Sequence, residues 1–261
     1  MINLGCGNTH HPDWLNFDFR PADGVIPHNL KHRLPLADGS VRAVYQSHLL
    51  EHFRKEDGEN MLRECYRVLE KNGIIRIVVP DLETICREYL KNLTLGFDTG
   101  SEMAIADYEW NKIEIFDQII RRQTGGEMFR KLKSGPKNLD YIIARNGREL
   151  LPGAETAAPV RLYKNLKKLF FYLGRGRFNS LYYWLANFVR GKIISISGER
   201  HRWMYDRLDL KLLLDKIGFR DFQISAYDRS QIADWPKYAF DSSSVFGGPR
   251  KPDSLYVEAR K

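Results

Sequence analysis

Residues 48–52 read His-Leu-Leu-Glu-His, two imidazoles and a carboxylate within one short stretch. This is the H-x-x-E-H order in which a zinc peptidase holds its metal with two histidines and uses the glutamate as base. That chemistry needs both imidazoles on one face of a continuous helix. Directly before them stands Val41–Ser47 (VRAVYQS), whose apolar and polar alternation reads as a strand. The motif therefore spans a strand end and the first turn of a helix, with no preceding helix to support His48. No third carboxylate ligand follows in a comparable helix, and hydrolase chemistry is disfavoured. Two readings remain. Glu51 and His52 cap and orient the helix, or His48 faces a substrate hydroxyl and takes its proton, as an imidazole titrating near neutral pH can.

A second constellation lies at the start of the chain. Ile2–Leu4 is a short apolar strand that runs into Gly5-Cys6-Gly7. Glycine there lets a ligand approach the backbone closely, and the turn's N–H groups can hold a polar or anionic group. Asp18 ends the next strand, where a carboxylate can accept hydrogen bonds from both ribose hydroxyls of a nucleoside cofactor. A dinucleotide fits less well. The separation from Gly5 is 18 − 5 = 13 positions, against about 20 for that fingerprint. His10 also stands where its third glycine belongs.

These residues need a scaffold, and the hydrophobic pattern predicts one. Trp14–Phe19 and Val41–Ser47 alternate as strands, Glu56–Lys71 is amphipathic at helical spacing, and Ile74–Val79 is the most β-like run. Asn72-Gly73 reads as the stop of that helix, and Asp81 as the N-cap of the next. Strands return after residue 200. Asp206–Lys216 is a helix closed by Gly218, and Phe222–Tyr227 and Leu255–Ala259 are strands. The fold expected is α/β: a Rossmann-like, doubly wound, mostly parallel sheet with a helical insertion between the fifth and sixth strands. The core would comprise residues 1–95 and 199–261, and the insertion 96–198.

Composition sets the bounds. The chain has 261 residues, 43% of them hydrophobic, enough for a substantial core. There is no run of about 18 uninterrupted apolar residues, so no spanning helix is expected. The opening MINLGCG reads as a strand rather than a signal peptide. Cys6, Cys65 and Cys86 are odd in number and widely spaced, which fits a reducing cytoplasm and excludes a zinc knuckle. The net charge of +8 favours an anionic partner or is ordinary solubilising charge.

The stretches INLGCGN, DWLNFD, LPLADGSVRAVYQSHLLEHF, RECYRVLEKNGIIRIVVPDLE and HRWMYD with LLLDKIGF together resemble the class I S-adenosylmethionine-dependent methyltransferases. In particular they resemble a small, methyltransferase type 11-like bacterial and phage branch often found near polysaccharide genes. The resemblance implies S-adenosyl-L-methionine as cofactor. It places the methionine part on Gly5, Cys6 and Gly7, the ribose on Asp18, the adenine near Asn29 and Leu30, and Ser47 and His48 beneath the sulfonium. The chain departs from the wider family in three ways. Asn3 replaces an acidic residue of the first strand, the third glycine is missing, and the first helix is reduced to NTHHPDW. Relatives with E-x-x-E-H at this slot bind a divalent ion, which makes metal binding a variant reading with His201 as a further ligand. No metal is assigned.

His201-Arg-Trp-Met-Tyr-Asp206 combines an imidazole, a guanidinium, two aromatics and a carboxylate, groups that suit a sugar or a base. Tyr205 and Asp206 could equally be a packed tyrosine and a helix N-cap, and the cap is the favoured role for Asp206. His201 and Tyr205 join His48 as catalytic candidates. Residues 161–192 interleave basic with aromatic and aliphatic residues and contain no acid. They read as a packed lid, as a surface for an anionic membrane, or, less favoured, as a nucleic-acid contact. The expected function is O-methylation of a sugar hydroxyl in a cell-surface polysaccharide or its lipid-linked precursor, in the cytoplasm or at the inner membrane face. The alternatives are a cofactor-less methyltransferase-like partner in a glycan-assembly complex, and an RNA methyltransferase.

Overall fold

The structure, a computed structural model, describes residues 1–121, 123, 125–151, 200–243 and 247–261. The basic and aromatic stretch 161–192 lies outside them. The chain divides into two compact units: Met1–Leu90 with Ala144–Gly147 and Arg202–Lys261, and Lys91–Ile143 with Arg148–His201.

The first unit is built on one sheet. Its strands are β1 (Ile2–Leu4), β2 (Leu15–Asp18), β3 (Val25–Pro27), β4 (Val41–Ser47), β5 (Leu69–Pro80), β6 (Arg220–Ile224) and β7 (Ser254–Arg260). They lie in the order β3-β2-β1-β4-β5-β7-β6. The first five are mutually parallel, and β7 runs antiparallel to both β5 and β6. The strand order reverses between β1 and β4, and at such a switch point the loops at the carboxyl ends part to leave a crevice. This is the Rossmann-like, mostly parallel sheet expected, with the helical segment entering between β5 and β6.

Period-two alternation sorts the side chains onto two faces. One face carries Ile2, Leu4, Val44, Ile75, Ile77 and Val257 against α1 (Lys55–Val68) and α6 (Arg207–Ile217). The other packs Ala43, Tyr45, Val78 and Tyr256 against Trp14, Trp235, Tyr238 and Phe240. Here aromatic side chains from the segment around α7 (Trp235–Tyr238) cover the sheet. Tyr45 stacks on Phe240 at 4.7 Å, and Trp14 meets Tyr238 and Phe240 edge-on at 5.2 Å each. Arg76 lies within this layer, fully buried. It pairs with Asp241 and Glu258, each at 2.8 Å, and donates to the carbonyls of Ala226 and Arg229. A guanidinium so deep is tolerable because its donors are matched by carboxylates and carbonyls.

Three boundaries differ from the sequence expectation. The helix expected over Glu56–Lys71 stops at Val68, and Leu69 already belongs to β5, pairing with Val41. Asn72-Gly73 is therefore not a helix stop. Asn72 bends the strand at φ +63°, and its N–H, with the carbonyl of Gly73, bonds to Lys261 at the end of β7. Helical periodicity lost here to a buried leucine and a waiting strand partner. The strand expected over Phe222–Tyr227 instead spans Arg220–Ile224, because Arg76 draws Ala226 and Arg229 into a turn. The strand Trp14–Phe19 shortens to Leu15–Asp18.

The second unit is helical in its described part. α2 (Leu82–Thr99) and α5 (Leu139–Asn146) run across the unit boundary, with α3 (Glu102–Ile120) and α4 (Gly126–Lys133) between them. Trp110, Met128, Leu132 and Ile142 form its core. Asn92 links to Asn111 at 2.8 Å and to Tyr141 at 2.9 Å. No helix among the described residues is long and apolar enough to cross a membrane.

Removing Arg76 would strand two buried carboxylates. Arg76→Met is expected to lower the urea unfolding free energy by about 3–5 kcal/mol. A loss under about 1 kcal/mol would show that the cluster is dispensable.

Candidate active site

β1 is short because its chain turns sharply at Gly5, which sits at φ +64°. A methyl group at Gly5 would stand 2.6 Å from Leu49 Cδ1, so the left-handed turn favours glycine and any larger residue would make Leu49 shift. Gly7, at φ +50°, differs: nothing lies within 4 Å of the position its Cβ would take. The turn is thus closed below and open above.

Asp18, at the end of β2, faces this turn. Its Oδ2 accepts from the Gly7 N–H at 2.9 Å and its Oδ1 from the Arg20 N–H at 3.0 Å. A carboxylate has about four acceptor directions, so capacity remains for a ribose diol. The N–H groups of Gly5 and Cys6 both point at the Phe17 carbonyl, at 2.8 and 3.2 Å. All three amides of the turn are therefore engaged within the protein. What the turn offers a ligand is close backbone approach over Gly7 and the Asp18 carboxylate beside it. Asn3, buried, ties the following loop by donating to the Thr9 carbonyl at 2.9 Å and to Asn16 Oδ1 at 3.2 Å. An amide suits this place because it can donate, which an acidic residue could not. Cys6 is buried, and its thiol is pushed up to about 12 by desolvation and by the Asp18 charge, so it is no nucleophile at neutral pH.

Farther along the carboxyl ends, Asn29 is exposed and its Oδ1 accepts from the Lys31 N–H at 3.1 Å. Leu30 is in the core. Ser47 is half-buried, with its hydroxyl engaged by Tyr45.

His48 leaves β4 at φ +49°, an uncommon conformation for a residue with a Cβ. Its N–H donates to the Val78 carbonyl at 2.8 Å. Its Nε2 lies 2.8 Å from Ser254 Oγ, and its Nδ1 3.3 Å from Glu51 Oε1. Glu51 is fully buried in one turn of 3₁₀ helix, Leu50–His52, and burial, the largest cause, helps push its carboxyl up to about 8. Its carbonyl accepts from the N–H groups of Arg202 at 2.6 Å and Trp203 at 3.2 Å. The two histidines of H-x-x-E-H thus share no helix face. Glu51 Oε1 lies 4.0 Å from His52 Nε2.

Tyr205 is buried, its hydroxyl beside Gly58 in the core, and burial raises its pKa. This is a packing position rather than one facing an acceptor. Asp206 caps α6, accepting from the N–H groups of Leu208 and Asp209 at 2.8 and 2.9 Å. Trp203 remains partly exposed, with Lys55 Nζ 4.0 Å from its ring centroid. His201 belongs to the second unit, buried, its N–H donating to the Gln118 carbonyl at 3.0 Å. Sequence reasoning missed Ser254 and Arg250. Arg250 donates to the Thr9 hydroxyl beside the turn. Neither lies in a recognisable motif, and each meets its partner across more than two hundred residues.

A family model described as a methyltransferase domain matches residues 20–77, from just beyond Asp18 into β5. That stretch is similar to a methyltransferase domain. Such a domain implies S-adenosylmethionine as cofactor, and the open position over Gly7 with the Asp18 carboxylate beside it fits an adenosyl group. The comparison with curated proteins found no match. Among solved structures, the whole chain aligns with 81% of a SAM-dependent methyltransferase from Thermotoga maritima, at 14% identity and a TM-score of 0.43. It aligns with 85% of one from Archaeoglobus fulgidus, at 13% identity and a TM-score of 0.39. A chain from Rhodobacter sphaeroides described as a zinc-dependent alcohol dehydrogenase scores 0.36 at 12% identity, with 95% of this chain and 75% of that one covered. Likenesses this low carry no functional argument.

Two expectations follow. Gly5→Ala and Gly7→Ala share a left-handed backbone penalty, but only the first also displaces Leu49. Gly5→Ala should cost about 1–3 kcal/mol more in urea unfolding, and equal costs would contradict the packing described. Glu51 rises from an ordinary value of 4.5 to about 8. The folded protein therefore holds this proton more tightly than the unfolded chain does. The stabilisation is complete below about 4.5, falls as pH rises, and is gone above about 8. Glu51→Gln should flatten that slope in unfolding measurements across this window.

Proposed function

We propose that the first unit transfers a methyl group from S-adenosylmethionine to a hydroxyl of a sugar, in a cell-surface polysaccharide or its lipid-linked precursor. The observation that carries the methyl-transfer part is the Asp18 carboxylate, held on the Gly7 amide at the strand-order switch point beside an open position. When bound, the cofactor supplies an electrophilic methyl group. The protein's part is to fix donor and acceptor in line, which is worth several kcal/mol in such reactions. Asp18 would hold the ribose, and the Gly5–Gly7 turn would pass under the methionine part.

Support for a sugar acceptor is chemical and comes from one side of this unit. Trp203 offers a partly exposed ring, its backbone anchored to Glu51, and aromatic faces beside hydrogen-bonding groups suit pyranose rings. The polysaccharide context rests on the resemblance of the sequence. An anionic membrane surface would suit a lipid-linked acceptor, and that part of the proposal rests on the basic and aromatic sequence of residues 161–192.

One observation favours a second reading. The amides of Gly5, Cys6 and Gly7 are all engaged internally, as they would be in a domain that has given up its cofactor and docks a glycan-assembly enzyme. Calorimetry with S-adenosylhomocysteine separates the two. The enzyme reading expects saturable heat that Asp18→Ala weakens at least tenfold, about 1.4 kcal/mol. No heat at millimolar ligand would favour the partner reading. Label from methyl-labelled cofactor should then appear in a glycan or lipid-linked fraction of the cell envelope, and label confined to RNA would overturn the acceptor class.

A further inference from the structure

Ser254 opens β7 opposite Pro80, the last residue of β5, and His48 directly follows β4. Both therefore stand at the carboxyl ends of the parallel strands, on the β5 and β7 side of the glycine turn. Leu49, the residue after His48, fills the space under Gly5 and ties the two places together. Within this corner the side chains form a line. Ser254 Oγ lies 2.8 Å from His48 Nε2, and His48 Nδ1 lies 3.3 Å from Glu51 Oε1. Glu51 is out of reach of solvent and anchored through its carbonyl. Of the His48 ring nitrogens, Nε2 is at hydrogen-bonding distance from Ser254 Oγ and Nδ1 is at ion-pair distance from Glu51 Oε1. Ser254 is only half-buried, and a hydroxyl can accept as well as donate.

We infer that Ser254, His48 and Glu51 form a proton relay for the methyl acceptor: Ser254 touches the acceptor hydroxyl, His48 receives the proton, and Glu51 is the positioning residue that holds the imidazole. This rests on the reading that the site methylates an oxygen. The acceptor oxygen supplies the electron pair of the new oxygen–carbon bond, and the pair of the broken carbon–sulfur bond stays on sulfur. The acceptor's proton moves to Ser254 Oγ as the Ser254 proton moves to His48 Nε2, leaving an imidazolium beside the Glu51 carboxylate. The fixed partner on Nδ1 sets the tautomer that keeps Nε2 basic. The left-handed backbone at His48 is what turns the ring into this line.

Among the described residues, the following charged and titratable groups bear on the relay. Lys251 lowers the Glu51 pKa and Asp253 raises it, but burial outweighs both. His52 lies 4.0 Å from Glu51 Oε1, the Tyr205 hydroxyl is close enough to sense the Glu51 charge, and Tyr256 shares a hydrogen bond with Ser254. Below about 8 the Glu51 carboxyl retains its proton, and above it the carboxylate charge beside Nδ1 favours the ring proton there and leaves Nε2 basic. Methyl transfer should therefore rise with pH through about 8.

The test is long-range proton–nitrogen NMR of the full chain with nitrogen-labelled histidine, titrated through neutral and mildly alkaline pH, with His48 assigned by its loss in His48→Asn. The expected result is a step in the His48 ring near pH 8 that Glu51→Gln abolishes or moves by about one unit or more. Ser254→Ala should shift the Nε2 signal, and Ser254→Thr should restore it. Identical His48 titrations in the native chain, Glu51→Gln and Ser254→Ala would overturn the relay. Calorimetry with S-adenosylhomocysteine on the same samples keeps the two proposals apart. Unchanged binding with unchanged titrations defeats the relay alone, whereas no binding with the expected titrations defeats the methyl-transfer reading.

Discussion

A carboxylate ending one strand and an amide in the turn after its neighbour are held 2.9 Å apart in this protein, and the site depends on that contact. It joins the turn after β1 to β2, next to the place between β1 and β4 where the strand order reverses. Asp18 is thereby fixed at the mouth of the crevice instead of swinging into solvent, and Gly7 is fixed with its open side outward. The same bond limits what the turn can do. With the Gly5 and Cys6 amides on Phe17 and the Gly7 amide on Asp18, the loop cannot serve as an anion-binding nest. Shape and one carboxylate must provide what hydrogen-bond donors provide in a phosphate-binding loop.

Much of this was legible in the residues. The alternation of Val41–Ser47 and the run Ile74–Val79 mark the two central strands, and a strand leading into Gly-Cys-Gly followed by an acid at a strand end marks the crevice. Asp206 announces itself as a cap because a short acceptor precedes an amphipathic run. What stayed hidden is long-range. Nothing local in the sequence says that Arg76 collects Asp241 and Glu258, or that Ser254 meets His48. Local periodicity also misplaces the end of α1, because Leu69 answers to Val41 and Lys261 answers to Asn72, partners far along the chain. Tyr205 shows the converse. Its neighbours fit an acceptor contact as well as a packed tyrosine, and only the buried ring, with the backbone bridge from Tyr205 to Asp81, shows the packed position.

The two faces of the sheet do different work. The face under α1 and α6 is aliphatic and buries most of the apolar core. The face under the Trp14–Tyr45–Trp235–Phe240 cluster is aromatic and contains the Arg76 network. That cluster covers the flank where the connection from β1 to β2 forms no helix, so rings from the far end of the chain protect the sheet there. One consequence is that the carboxyl-end corner holding His48 and Ser254 is framed by late segments, residues 202–206 and 250–254, rather than by the loops of the parallel half. Placing a strained residue and a buried carboxyl together there raises the free energy of the fold locally, as functional corners commonly do.

The structure of the complex with S-adenosylhomocysteine tests the central claim most directly. The account expects the ribose hydroxyls on the Asp18 carboxylate, the amino-acid part across the Gly5–Gly7 turn, and the sulfur on the His48 side of the crevice. A ligand seated elsewhere on the chain, or an Asp18 carboxylate still bonded only to Gly7 and Arg20 with no ribose beside it, would contradict it.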